Sequence, residues 1–435
     1  MYRKFKRKKG LNETELNNLL SNSDYFASHC FLNSNKLRQD KFQRYEMLIG
    51  LGVVDELKIQ GDDDNSIIKI SDFLKKHTKA WKFVYLSYDL KNTFEKLSST
   101  NEDILNFKDV YIFIPKFIFI KSTEKEELLY HHSLNSIDIN EFLNLLTSVA
   151  TNRAKNNSPN FKARIDKATY LKQIEKIQQN IKEGNIYEMN FCQEFYSKNS
   201  EIVPNEVYKE LNNSSPAPFA AFFKEGCRYL MSASPERYIQ KYKGTLISQP
   251  IKGTSRRENN AGRDQLIKQQ LKTDIKERAE NIMIVDLVRN DFSRINGSSH
   301  INVEELCGIY SFAHVHQMIS TISATVPDNI SFTEILKPTF PMGSMTGAPK
   351  LMAMQLIDEF ETNRRALFSG SVGYISPQND FDFNVIIRSL LYNKKKRYLS
   401  LSTGGAITYL SDPLKEYEET LLKAEAILKI FDKSE

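Results

Sequence analysis

PFAAFFKEGCRYLMSASPERYIQKYKGTLISQP, residues 218–250, decides the fold class. PFAAFF and CRYLMSA are short aromatic and aliphatic runs that meet around Glu225-Gly226, and RYIQKY and TLISQP meet around Lys243-Gly244. A polar residue and a glycine between two such runs mark a hairpin. Two hairpins in succession require antiparallel pairing, because parallel neighbours need a crossover of a dozen or more residues.

The pattern extends outward from this stretch. Upstream, Tyr170, Ile174, Ile177 and Ile181 recur at helical spacing before Gly184, and IYEMNFCQEFY follows as a strand. Downstream, one long helix is expected over about residues 265–288 and another from Pro349 to about Glu361. Three strand-like stretches begin at Leu367, Phe381 and Arg397, and a last helix starts after Ser411-Asp412-Pro413. Strands that arrive as hairpins and helices that arrive in blocks give an α+β fold with large antiparallel sheets. TNRAKNNSPNFKARID, residues 151–166, is polar and basic and reads as a loop, so an N-terminal region 1–155 and a second region 160–435 are expected. The first contains the strand-like WKFVYLSYDL and DVYIFIPKFIFIK but no catalytic constellation.

The bulk numbers exclude several classes. The chain has 435 residues, 26% of them charged, and needs no staples to bury a core. Arg3, Lys4, Lys6, Arg7, Lys8 and Lys9 account for the whole net charge of +6. The body is therefore neutral and unsuited to nucleic acid, and the basic start is expected to be a solvated tail. No apolar run follows it, as a secretory signal would require, and no window is long enough to span a bilayer. The four cysteines are widely spaced, which fits buried thiols in a reducing, cytoplasmic setting.

Several segments carry chemistry. Glu416, Glu419 and Lys423 fall on one face of the last helix, and Glu277 and Glu280 are also three apart. Two helices that each present a carboxylate pair suit a hard cation such as magnesium, but spacing alone is equally that of solvated helix faces. MGSMTGAPK and STGGAITY offer backbone N–H groups to an anion, although neither is a phosphate-binding P-loop. Lys252 in QPIKGT, with Glu236 sixteen positions earlier, is a candidate nucleophile with an acid partner, and alone would equally be a surface lysine. His314 and His316 alternate on an expected strand and lack a third ligand.

Together, SASPERY, QPIKGTSRR, IKERAENIMIVDLVRNDFSRI, FPMGSMTGAPKLMAMQLIDEFE, GSVGYI, IIRSLL and SDPLKEYEETLLKAEAIL resemble, in order and spacing, the chorismate-utilising enzymes over about residues 165–431. The resemblance implies a layered sandwich of antiparallel sheets flanked by helices. Lysine in PIKGT is similar to the branch that makes 4-amino-4-deoxychorismate, the precursor of p-aminobenzoate. The anthranilate-forming branch usually has alanine there, and Glu188 stands where water-adding relatives carry a lysine. Anthranilate formation, and a catalytically impaired chorismate-binding relative, are the alternatives.

By the same resemblance, Lys252 would attack C2 of chorismate and Glu236 would protonate the departing hydroxyl. Glu280 and Glu419 would hold Mg2+ directly, with Glu277 and Glu416 acting through water. Tyr374 and Arg388 would hold the enolpyruvyl carboxylate, completed by Thr254, Gly404, Gly405 and Lys423. A glutaminase subunit would supply ammonia, since no glutaminase motif occurs in the chain. Three positions depart from the family pattern: Gln317 in place of histidine, and Met342 and Ala406 in place of glycine.

Overall fold

Both hairpins form where the sequence placed them. Phe219–Glu225 pairs with Arg228–Ser234, and Arg237–Tyr242 pairs with Thr245–Gln249. In the second turn Lys243 (φ 47°) and Gly244 (φ 74°) are both left-handed, as a two-residue turn matched to the strand twist demands. The computed structural model describes residues 1–7, 10–37, 40–61, 65–95, 97–148 and 158–432. Every strand pairing among these residues is antiparallel.

The strands form one network that forks at Val110–Lys121. One arm runs through Met47–Ile59, Ser28–Asn33, Phe219–Glu225, Arg228–Ser234, Ser389–Asn393 and Tyr398–Ile407 to Glu188–Ser197. The other runs through Lys82–Leu86, Ser371–Ile375, Phe381–Asn384, Arg237–Tyr242 and Thr245–Gln249 to Val315–Thr325, which also pairs with Ile251–Arg256 and Ser299–Ser311. Apolar side chains from both arms, among them Ile112, Phe223, Leu391, Ile239, Ile322 and Phe383, share one core. A second core beneath the first arm is closed by helical residues such as Phe142, Leu211 and Ile427. This is the layered α+β arrangement, and strands from both sides of residues 151–166 pair within it. Of that expected loop, residues 151–157 lie outside the described residues, and 162–163 form a two-residue strand.

Two crossovers between the arms matter for function. The chain passes from the first arm to the second at Pro235-Glu236 and returns at Val385–Arg388. The crossovers are tied together: Val385 N–H donates to the Glu236 carbonyl at 3.0 Å, and Ala233 N–H donates to the Arg388 carbonyl at 3.2 Å.

Two expectations are corrected. The basic start is not a free tail through its whole length: Tyr2–Lys4 pairs with residues 129–131, because the Glu126–His131 strand would otherwise present an open edge. Lys8 and Lys9 lie outside the described residues. The expected long helix is two, Ala261–Thr273 and Ile275–Ser293, because Asp274 turns its carboxylate back to the N–H of Glu277 (2.9 Å) and caps a new helix. No helix among the described residues is long and apolar enough to cross a membrane.

Candidate active site

Lys252 sits on an irregularity. Ile251 pairs with Ile319 and Thr254 with Gln317, so the Lys252 strand carries one residue more than its partner. Such a bulge re-aims a side chain, and Gly253 permits it with φ 93°. A β-carbon on Gly253 would lie 3.1 Å from Glu277 Oε2 and 3.2 Å from Met318 Cβ, so a side chain there would also be crowded. Lys252 thereby enters a cavity of about 190 Å3 between the two arms. Its ammonium lies 2.7 Å from Glu188 Oε1.

Glu236, on the first crossover, lines the same cavity. Burial pushes its carboxyl up to about 7, against the opposing pull of the Ser344 hydroxyl and the Lys252 charge. It is thus a carboxyl that can hold a proton near neutrality. Arg388, on the return crossover, adopts φ 51°, a conformation costly for any residue with a β-carbon. Among the described residues its guanidinium makes no hydrogen bond or ion pair, although it lines the cavity beside Glu236. A five-donor fork without a partner is suited to a carboxylate ligand.

The carboxylates come from two helices. Glu277 and Glu280 lie in the first turns of Ile275–Ser293, and Glu416 and Glu419 in the first turns of Pro413–Leu428, whose cap is Asp412 as the sequence implied. All four line the cavity. Burial raises the Glu280 carboxyl to about 7, and Glu277 is raised for the same reason. For Glu419 burial also acts upward, but Lys423, 2.7 Å away, prevails and the net direction is down. The Lys276 ammonium stands between the pairs, 3.2 Å from Glu416 Oε1 and 3.7 Å from Glu280 Oε1.

No three metal-binding side chains among the described residues are already gathered into a coordination shell. The donors nevertheless fit a hard cation. They are all carboxylate oxygens, and Glu280 Oε1 is buried with no hydrogen-bond partner among the described residues. Gly405 leaves open space where a β-carbon would stand 3.2 Å from Glu416 Oε2.

Of the other expected residues, Thr254, Gly404, Gly405 and Lys423 line the cavity. Gly404 contributes its carbonyl, which accepts from Lys423 Nζ at 2.7 Å. Tyr374 does not belong to the site. Its strand lies within the second arm, and its ring packs on Tyr45 and Trp81 in a separate cavity with Arg237 and Asp382 that shares no lining residue with the first. The histidines also separate: His314 precedes its strand and meets the Ser214 carbonyl, whereas His316 is buried between Ser311 and Asp264. Gln317 and Ala406 line the cavity, and Met342 is core.

Sequence reasoning did not assign roles to Glu188, Ser344 or Lys276. Glu188 and Ser344 are 64 and 108 positions from the residues they bond, so no local spacing could have flagged them. Lys276 lies beside Glu277 and was visible as a charge, but its placement between two helices was not.

A family model for chorismate binding enzymes matches residues 28–429. Over 348 residues the chain is 34% identical to aminodeoxychorismate synthase component 1 of Salmonella typhimurium, covering 78% of this chain and 74% of that one. Over 260 residues it is 39% identical to the chloroplastic aminodeoxychorismate synthase of Arabidopsis thaliana, covering 59% of this chain and 28% of that one. The chain spans 28–37% of the length of such longer relatives. Anthranilate synthase component I from Streptococcus pneumoniae shares the fold with a TM-score of 0.77 at 24% identity, over 90% of this chain and 93% of that one.

Proposed function

The chain belongs to the family of chorismate binding enzymes, and from that premise we propose that it replaces the C4 hydroxyl of chorismate with an amino group, giving 4-amino-4-deoxychorismate. The observation that carries this reading is the buried Lys252 amine, set by a strand bulge into a cavity that also holds a protonatable Glu236 and an Arg388 guanidinium unpaired among the described residues.

In this reading Arg388 binds a substrate carboxylate through two parallel hydrogen bonds. Lys252 attacks C2 as the C4–oxygen bond breaks, and Glu236 gives its proton to the leaving oxygen. Ammonia then adds at C4 and expels the lysine. Lys423 and the Gly404–Gly405 backbone close the cavity on the side of the last helix. Tyr374 takes no part, so Arg388 holds its carboxylate without that hydroxyl.

Glu280 and Glu419, with Glu277 and Glu416 around them, would hold Mg2+, which when bound neutralises a substrate carboxylate as a Lewis acid. Ammonia would come from a glutaminase subunit or from solution.

Chorismate consumption and binding in Lys252→Ala and Lys252→Arg test the reading. Both variants should bind chorismate, through Arg388 and the carboxylate cluster, yet turn over at least about 100-fold more slowly. Near-normal turnover in Lys252→Arg would mean that the residue supplies charge and not a nucleophile.

A further inference from the structure

The proposed nucleophile rests in the wrong protonation state. Burial alone favours neutral Lys252, but the carboxylates of Glu188 and Glu280, with Glu236 adding to them, more than reverse this and hold it as an ammonium. Glu277, Glu419 and Cys192 feel its charge as well. An ammonium has no lone pair to offer carbon. Near neutral pH an acceptor inside the site serves better than solvent, because Lys252 is 8% exposed and Glu188 only 1%.

One acceptor is in contact. Among the described residues the Lys252 side chain makes a single hydrogen bond, to Glu188 Oε1 at 2.7 Å. Glu188 Oε2 is buried without a hydrogen-bond partner among the described residues, so a proton arriving on this carboxylate displaces no other bond there. Both ends are fixed by backbone. Glu188 opens its strand opposite Ala348, and Lys252 stands on the bulge. Glu280 makes no hydrogen bond to Lys252, and Glu236 is engaged by Ser344 and committed as the proton donor.

We propose that Glu188 is the proton acceptor of Lys252, an assignment that rests on the reading of Lys252 as the nucleophile toward chorismate. The proton passes from Nζ to Glu188 Oε1. The freed lone pair forms the Nζ–C2 bond while the C4–oxygen bond breaks, and the leaving oxygen takes the proton of Glu236 and departs as water. When ammonia expels the lysine, Glu188 returns its proton to the amine. The first transfer converts an ion pair into a neutral amine and a carboxylic acid, needs no water, and is favoured by the same low dielectric that penalises buried charge.

The test follows adduct formation on the Lys252 peptide by mass spectrometry after rapid mixing with chorismate and Mg2+, without ammonia, between pH 6 and 9. Wild type, Glu188→Gln and Glu188→Asp are compared as rate ratios, in which the titration of Glu236 cancels. Glu188→Gln should be slower by about 100-fold at pH 7, with the deficit shrinking as pH rises and solvent takes the proton instead. Glu188→Asp, whose carboxylate is held one methylene further from Nζ, should be slower than wild type by about tenfold, well short of the Glu188→Gln deficit, and leave the ratio flat with pH.

An adduct forming equally fast or faster in Glu188→Gln, or a deficit that does not change with pH, overturns the assignment while leaving Lys252 as nucleophile. Turnover by the wild type with no adduct removes the nucleophile reading and this assignment with it. Should Glu188→Gln fail to fold, Glu188→Asp decides: a slower adduct with an unchanged pH slope supports the assignment, and an unchanged rate overturns it.

Discussion

The Ser344 hydroxyl donates to Glu236 Oε1 at 2.6 Å, and the carboxyl it meets is buried at a crossover between two sheet arms. The bond favours the carboxylate while burial opposes it, and burial prevails to leave the group at about 7. An acid with that value gives turnover that falls above about pH 7. Ser344→Ala removes the donor, so the alkaline fall should move to higher pH. A profile of kcat against pH that is identical in wild type and Ser344→Ala would contradict the role of Glu236.

The same group sets a stability trend. Its value in the folded protein, about 7, is above the ordinary 4.5. The folded state therefore holds the proton longer than the unfolded chain does. Its stabilising contribution is complete below about pH 4.5 and is lost as pH rises through 7. Glu236→Gln abolishes this dependence, and its Tm should gain on that of the wild type between pH 5 and 8. A gap that is constant with pH would contradict the burial argument.

Glu280→Gln and Glu419→Gln each replace a carboxylate oxygen of the proposed cation site with an amide while keeping shape. Each should weaken Mg2+ binding by at least about tenfold, read by titration with Mg2+ or with Mn2+ as a spin probe. Equal affinities in both variants and wild type would place the cation elsewhere.

Arg388→Lys keeps the charge but loses the two-pronged geometry. The change should raise KM for chorismate by about ten- to a hundredfold, the worth of a hydrogen bond to a charged group, with the fold intact by circular dichroism. An unchanged KM would assign the carboxylate to other donors.

Arg365 anchors the floor of the site. Its guanidinium binds Glu361, the Met345 carbonyl (2.7 Å) and the Asn190 carbonyl (2.9 Å), all buried. Arg365→Met leaves Glu361 as an uncompensated buried charge and should cost about 3–5 kcal/mol in urea unfolding. Lys423→Met, at the half-exposed rim, should cost less than about 1 kcal/mol.

The hairpins, the capped last helix and the carboxylate pairs were legible because each depends on residues close in sequence. Gly226-Cys227 and Lys243-Gly244 form turns set locally, and Asp412-Pro413 fixes the helix start that puts Glu416 and Glu419 on one face. Asp274 divides the single helix expected over 265–288, because its choice between helix interior and cap depends on a side-chain bond to Glu277. Tyr374 and Glu188 show the larger limit. Which cavity a strand residue faces is set by register between distant strands, and a one-residue bulge at Lys252 changes that outcome without leaving a local signal. The resemblance to a family named most of the residues that line the cavity, but only the packing of the two arms shows that Tyr374 lies outside it and that Glu188 meets Lys252.

The most direct measurement is the product formed from chorismate, Mg2+ and ammonium by the purified chain, resolved by chromatography and mass. The expected product is 4-amino-4-deoxychorismate with its enolpyruvyl group retained and no pyruvate released. Anthranilate and pyruvate as the main products would contradict amination at C4 and reassign the cavity to the neighbouring reaction of the family.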